Sequence, residues 1–481
     1  MLKTKIKNVL LRLAAVVSAG LPACSLHAAE GKPPAKPNII LILADDLGYP
    51  AISAYGFEKW GVPGLKEPVP IKTPNFDKLA FGGIRFEYAY ASPSCSPTRG
   101  QIMTGKYVHR LGLHDIVGRR GAVRELDLNK HATVAQGLRD AGYDTVMVGK
   151  WHLGGVYKNV DSEPQRELVD TKDEHVAKAG FNRQFHTVAA HLREYGDPVK
   201  TGDKRYYPDV LQDYILRYLD SRKGQEQPFF IYYGAPVPHI PHRPTPLNPD
   251  GKRGPQANGD NANLPYILEY LDMQIGEIVA KLEELGLRKN TLILFLGDNG
   301  GGPSGIRADG SSAGGAGKGN VGEGSRVPFI MNWPAFIPAG TVYDGVIDCT
   351  DVMPTLLELA GAPKPEGIDG VSLVSPMSGS PMRVREWVHC LSLGQYFFRS
   401  ENYSLREDGK FYDVSPEKLR NASLMHKKTG ILIPDDQLTE QQRAVKAMLE
   451  AARDKILPDR WPPPELRHHF QSQPNKENQT P

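Results

Sequence analysis

Four short apolar runs, each handing over to charged or imidazole groups, place the tightest limit on how this chain can fold. Ile39-Ile-Leu-Ile-Leu43 runs into Ala44-Asp45-Asp46, and Thr145-Val-Met-Val148 into Gly149-Lys150-Trp151-His152. Phe229-Phe-Ile-Tyr-Tyr233 runs into Gly234-Ala-Pro-Val-Pro-His239, and Thr291-Leu-Ile-Leu-Phe-Leu296 into Gly297-Asp298-Asn299. None alternates apolar with polar, so each reads as a strand covered on both faces, as in a mainly parallel sheet. Helical segments fit between them. Thr73-Pro74 opens one with a cap residue and a first-turn proline. His131–Ala141 repeats apolar residues at helical spacing, Leu264–Leu285 is longer and amphipathic, and Asp351–Ala360 stops at Gly361. This alternation predicts an α/β sandwich with a large mixed, mainly parallel sheet between helices. Open sheets of this kind bind ligands at the carboxyl ends of their strands. Asp45, Asp46, Lys150, His152, His239, Asp298 and Asn299 are therefore expected on one rim.

After about Val374 the pattern changes. Trp387–Leu391, Gln395–Arg399, Tyr403–Arg406 and Phe411–Val414 read as short strands, and residues 439–456 as a helix. A smaller C-terminal antiparallel-sheet subdomain is expected over 375–470, with a polar, disordered tail over 471–481. With 49 Gly and 40 Pro in 481 residues, the chain is too rich in loops for a coiled coil or long bundle.

The N-terminus has the form of an export signal over residues 1–29. Lys3, Lys5, Lys7 and Arg12 precede an apolar stretch too short to span a membrane, and small residues follow near Ala28. Leu21-Pro22-Ala23-Cys24 also loosely fits a lipoprotein signal, which would anchor the chain through Cys24. The leader holds four of the 58 basic residues and none of the 55 acidic ones, leaving 54 basic against 55 acidic groups beyond it. No basic field recommends a nucleic-acid partner; an anionic substrate would need local cations. Outside the leader only Cys95, Cys349 and Cys390 remain, so this is no disulfide framework, and whether Cys349 and Cys390 pair stays open.

Asp45, Asp46, Asp298 and Asn299 supply only oxygen donors, which suits calcium or magnesium over zinc. Adjacent carboxylates repel unless a cation offsets them.

Residues 92–105 read Ser-Pro-Ser-Cys-Ser-Pro-Thr-Arg-Gly-Gln-Ile-Met-Thr-Gly, placing Cys95 two residues before Pro97 and four before Arg99. This resembles the sulfatase signature Cys-x-Pro-x-Arg. Gly317-Lys318-Gly-Asn-Val-Gly-Glu323-Gly-Ser-Arg326-Val-Pro is similar to a second sulfatase segment, although Gly322 replaces a usual tyrosine and Ser325 falls near an expected glycine. Asp351-Val-Met-Pro-Thr and Asp369-Gly-Val-Ser-Leu resemble structural landmarks of the family, and Arg326 with Glu323 reads as a supporting ion pair. The likeness covers roughly residues 37–374 and weakens beyond.

The resemblance implies an alkaline phosphatase-like fold and a formylglycine made from Cys95 during synthesis by a formylglycine-generating enzyme. It implies a cation, calcium ahead of magnesium, held by Asp45, Asp46, Asp298, Asn299 and the oxygen at position 95. Arg99, Lys150 and Lys318 would hold the sulfate. The hydrated aldehyde would attack sulfur with Asp298 as proton acceptor, and its second hydroxyl would expel sulfate; serine would stay sulfated. His152 would bond the formylglycine hydroxyl. His239, with His242 as rival, and Lys318 would protonate the leaving oxygen. The implied substrate is a sulfated small molecule or glycan, for which Arg119, Arg120 and Arg193 are candidate contacts. Two other readings remain: a phosphate or phosphonate ester hydrolase of the same superfamily, and a non-catalytic protein that binds sulfated glycans.

Overall fold

The structure, a computed structural model, describes residues 36–55, 59–60, 69–117, 125–155, 173–187, 206–239, 242–250, 263–300, 325–392, 395–415, 417–418 and 430–457. Its main sheet has eight strands: β1 (Asn38–Ala44), β2 (Ile84–Tyr90), β3 (Asp144–Lys150), β4 (Arg183–Thr187), β5 (Phe229–Ala235), β6 (Thr291–Gly297), β7 (Phe329–Asn332) and β8 (Thr341–Asp348). Their spatial order is β8-β2-β7-β6-β1-β5-β3-β4. Only β7 opposes its neighbours, β2 and β6. Every other pairing is parallel. Seven strands thus point their carboxyl ends the same way.

The missing alternation in β1 has a direct cause. Ile39, Leu41 and Leu43 enter one core with Met103, Leu138 and Leu356, while Ile40, Ile42 and Ala44 enter another with Phe76, Ile215 and Ile275. Successive strand residues face opposite sides, and helices cover both. One layer holds α2 (Cys95–Thr104), α3 (Val134–Asp140) and α6 (Val352–Leu359); the other holds α1 (Pro74–Phe81), α4 (Tyr207–Asp220) and α5 (Leu264–Glu284). Helix α3 begins three residues later than its apolar spacing suggests. Thr133 caps it: Oγ1 accepts from the Gln136 amide at 3.1 Å while Gln136 Oε1 accepts from the Thr133 amide at 2.9 Å.

The expected second sheet is present as five antiparallel strands in chain order: β9 (Val388–Ser392), β10 (Gln395–Arg399), β11 (Tyr403–Arg406), β12 (Phe411–Asp413) and β13 (Ile431–Leu432). Helix α7 (Glu440–Ile456) packs Leu449 and Ala452 against Phe398, Leu405 and Phe411. Buried Arg385 ties the two sheets together. It donates to Asp348 Oδ2 at 2.8 Å and Tyr107 Oη at 3.0 Å, and it also pairs with Asp351. No helix among the described residues is long and apolar enough to cross a membrane.

Candidate active site

The described candidate residues sit at or beyond the carboxyl ends of parallel strands. The chain turns sharply after β1. Asp46 adopts φ 63°, a left-handed conformation that Asp tolerates better than most residues. Its amide donates to Asp298 Oδ1 at 3.0 Å, so the segment after β1 is anchored to the one after β6. Beyond β2, Cys95 is the first residue of α2 and only 3% exposed. One turn on, Arg99 donates from Nε and Nη2 to Asp298 Oδ2 at 3.1 and 2.8 Å, and from Nη1 to the Lys150 carbonyl at 2.6 Å. Lys150, the last residue of β3, donates from Nζ to both Asp45 oxygens at 2.7 Å. His152 follows with φ 59°, and its carbonyl accepts from Ser96 Oγ at 2.8 Å.

Beyond β5, His239 Nε2 lies 3.7 Å from Asp46 Oδ2. Its rival, His242, is buried with Nε2 3.0 Å from the Pro238 carbonyl. The geometry therefore puts His239 at the carboxylates. Lys318, Arg119, Arg120 and Arg193 lie outside the described residues, as do the leader, Cys24 and the tail. Glu323 is outside too. Arg326 donates to the Glu87 carbonyl and stacks 3.5 Å from the Tyr49 ring centre. Cys349 and Cys390 are buried free thiols.

Two positions carry no signal in a motif reading. A Cβ at Gly234 would fall 2.3 Å from the Lys150 carbonyl oxygen and 2.9 Å from Arg99 Nη1, so the missing side chain is what admits the guanidinium. Ser96 links α2 to the segment after β3 and also accepts from the Val117 amide at 3.1 Å. The glycine closing the Phe229–Tyr233 run could have flagged the first; nothing local flags the second.

The buried charges shape one another. Burial pushes the Asp45 carboxyl up, but Lys150, His239 and Arg99 outweigh it and hold it below its ordinary value. For Asp298, burial and the like charge of Asp45 prevail over Arg99 and Lys150, and its carboxyl is raised. Burial also lifts the Cys95 thiol well above its usual range, reinforced by Asp298, Asp45 and Asp46 against the pull of Lys150. A thiol so held is a poor thiolate nucleophile.

This group can hold a metal ion. Asp45, Asp46, Cys95 and Asp298 each offer a ligand atom, and all four lie within 4.8 Å of one another. Asn299 donates from Nδ2 to Asp46 Oδ1 at 2.7 Å and to the Gly300 carbonyl at 2.9 Å, while its buried Oδ1 has no partner among the described residues. An orphaned buried oxygen beside three carboxylates fits a hard cation. Those carboxylates face two cations, Arg99 and Lys150, and a divalent ion would offset the excess negative charge.

Together, the sheet order and the acidic site define a metal-dependent enzyme of the alkaline phosphatase-like fold. The sulfatase family's sequence model matches residues 37–362, and that of the N-sulphoglucosamine sulphohydrolase C-terminal region matches residues 321–407. The chain belongs to the sulfatase family and is a sulfuric ester hydrolase. It is 28% identical to human arylsulfatase A over 86% of this chain and 89% of that protein. It is 29% identical to N-acetylgalactosamine-6-sulfatase of Canis lupus familiaris over 78% of this chain and 73% of that one. The fold is shared with a solved protein in complex with its substrate D-glucosamine-2-N,6-O-disulfate, at TM-score 0.63 and 22% identity, covering 88% of this chain and 98% of that chain.

Proposed function

We propose that the chain hydrolyses sulfate esters of carbohydrates with formylglycine derived from Cys95 and a calcium ion held by Asp45, Asp46, Asp298, Asn299 and residue 95. The observation that carries this is the convergence of Cys95 with three carboxylates within 4.8 Å at the carboxyl rim of the sheet. The hydrated aldehyde would supply an oxygen nucleophile, made more acidic by the cation, and a second hydroxyl for releasing sulfate.

The remaining work falls to the chain's own side chains. Arg99 and Lys150, joined by Lys318, hold the anionic group and its growing charge. Asp298, which Arg99 holds through Oδ2, accepts the nucleophile's proton. His152 orients the hydroxyl at position 95, and His239 protonates the leaving oxygen. The sugar-sulfatase names among the relatives favour a sulfated glycan.

Residues 37–374 would form the catalytic domain and 375–470 the C-terminal subdomain. Residues 1–29 would direct export to the periplasm or beyond, with Cys24 as an alternative lipid anchor. Maturation would require a formylglycine-generating enzyme.

Two assays test the reading. Purified protein should turn over p-nitrophenyl sulfate faster than p-nitrophenyl phosphate; the reverse order would favour the phosphate or phosphonate alternative. The peptide containing residue 95 should be about 18 Da lighter than its cysteine form, as replacement of the thiol by an aldehyde requires. An intact thiol in an active preparation would sink the proposed chemistry, and an intact thiol with no turnover would leave a glycan-binding protein.

A further inference from the structure

The segment that leaves β5 carries a cation that no described residue answers. Arg243 lies four residues beyond His239. Its Nε and Nη2 are buried without hydrogen-bond partners, and no ion pair reaches its guanidinium among the described residues. The contrast with Arg99 and Lys150, both matched to carboxylates, is sharp.

Among the described residues, the stretch 242–250 is tied to its neighbours by hydrogen bonds. The His242 ring sits 3.0 Å from the Pro238 carbonyl. The His242 carbonyl accepts from Asn263 Nδ2 at 2.9 Å, and Asn263 Oδ1 accepts from Asn248 Nδ2 at 3.2 Å. Asn263 immediately precedes α5, whose first turn carries no acidic side chain. The loop's own carboxylate, Asp250, is exposed and does not pair with Arg243. Burying guanidinium nitrogens without acceptors is costly, and a ligand's anionic group would remove that cost.

We propose that Arg243 is the recognition residue of a second anion subsite, holding a carboxylate or a further sulfate on the same glycan whose scissile ester is cleaved at residue 95. This rests on the sulfatase reading above and adds what it leaves open, the charge pattern of the substrate. Four residues span at most about 14 Å, so Arg243 Cα lies within that distance of His239 Cα, a reach suited to the same sugar or its neighbour. A planar guanidinium can take either anion through two parallel hydrogen bonds. Simple aryl sulfates have no group to place there.

The test measures competition against p-nitrophenyl sulfate turnover in wild type, Arg243→Gln and Arg243→Lys. Three sugars serve as probes: N-acetylglucosamine-6-sulfate with one anion, D-glucosamine-2-N,6-O-disulfate with a second sulfate, and a uronate-containing monosulfated disaccharide with a carboxylate. For at least one doubly anionic probe, Arg243→Gln should raise the inhibition constant about 10- to 100-fold more than for the single-anion probe, with Arg243→Lys intermediate. The affected probe identifies the second anion as sulfate or carboxylate. An equal change for all three probes, or none, overturns the proposal.

Thermal unfolding supplies an independent readout. Without anions, Arg243→Gln should melt no lower than wild type, because the lost charge had no partner. Inorganic sulfate should raise the wild-type Tm more than the variant's; equal shifts count against the subsite. A wild type that cleaves no sulfate ester would fail the sulfatase reading alone, and these sulfate-induced shifts would still decide the subsite.

Discussion

Arg99 depends on a residue that contributes only by lacking a side chain. Its Nη1 reaches the Lys150 carbonyl past Gly234, where even a methyl group would lie 2.3 Å from that carbonyl oxygen. Gly234→Ala should therefore destabilise the protein by about 1–3 kcal/mol through overpacking. It should also lower turnover of p-nitrophenyl sulfate about 100-fold by shifting the guanidinium. Urea denaturation and steady-state kinetics read the two effects, and a variant with wild-type values for both would refute the argument. The polar groups at the strand ends were legible from their types and spacing: Asp45, Asp46, Lys150, His239, Asp298 and Asn299 reach one rim, where Arg99 joins them. What holds them was not. The left-handed turn at Asp46, the Ser96 link and the space at Gly234 arise from contacts across distant segments, which no local pattern encodes.

Among elements, β1, β3, β5 and β6 were readable because both their faces are buried. Strand β2, which delivers Cys95, was not, because its burial alternates and it resembles ordinary amphipathic chain. The four-residue β7 is too short to stand out, and it alone reverses direction.

The contact between the sheets has a testable pH response. His389 on β9 is fully buried, stacked 4.4 Å from Phe398, and burial lowers its pKa from 6.5 to about 3. His109 across the contact is lowered to about 4, also chiefly by burial. Below the ordinary histidine range the unfolded chain takes up protons that the folded one refuses, so stability falls as pH falls. Replacing His389 with Phe preserves the stack and removes one such site. Between about pH 7 and about pH 4.5, His389→Phe should lose about 2–3 kcal/mol less stability than wild type. Chemical denaturation at both pH values measures this, and parallel losses would exclude His389 as a source.

For the whole molecule, seven co-directional strands let residues as distant as Asp46 and Asn299 share a hydrogen bond. The same arrangement gathers three carboxylates against two cations, so a bound divalent ion should stabilise the fold as well as serve catalysis. Removing a metal present at about a hundred times its Kd should cost about 3 kcal/mol of unfolding free energy. A chelator should lower Tm and abolish p-nitrophenyl sulfate turnover together, with calcium restoring both more fully than magnesium. Loss of activity without a change in Tm would show that the carboxylates do not need the ion for stability.

Cys95 is sealed at the start of α2, with Arg99, Lys150 and the carboxylates closed around it. An enzyme that must convert this residue cannot reach it once the sheet has formed. On the proposed formylglycine reading, the order of events during biosynthesis becomes part of the catalyst: conversion would have to come while the polypeptide is still extended. Material refolded from an unconverted stock should acquire the native shape and remain inert, and adding the maturation enzyme afterwards should not revive it.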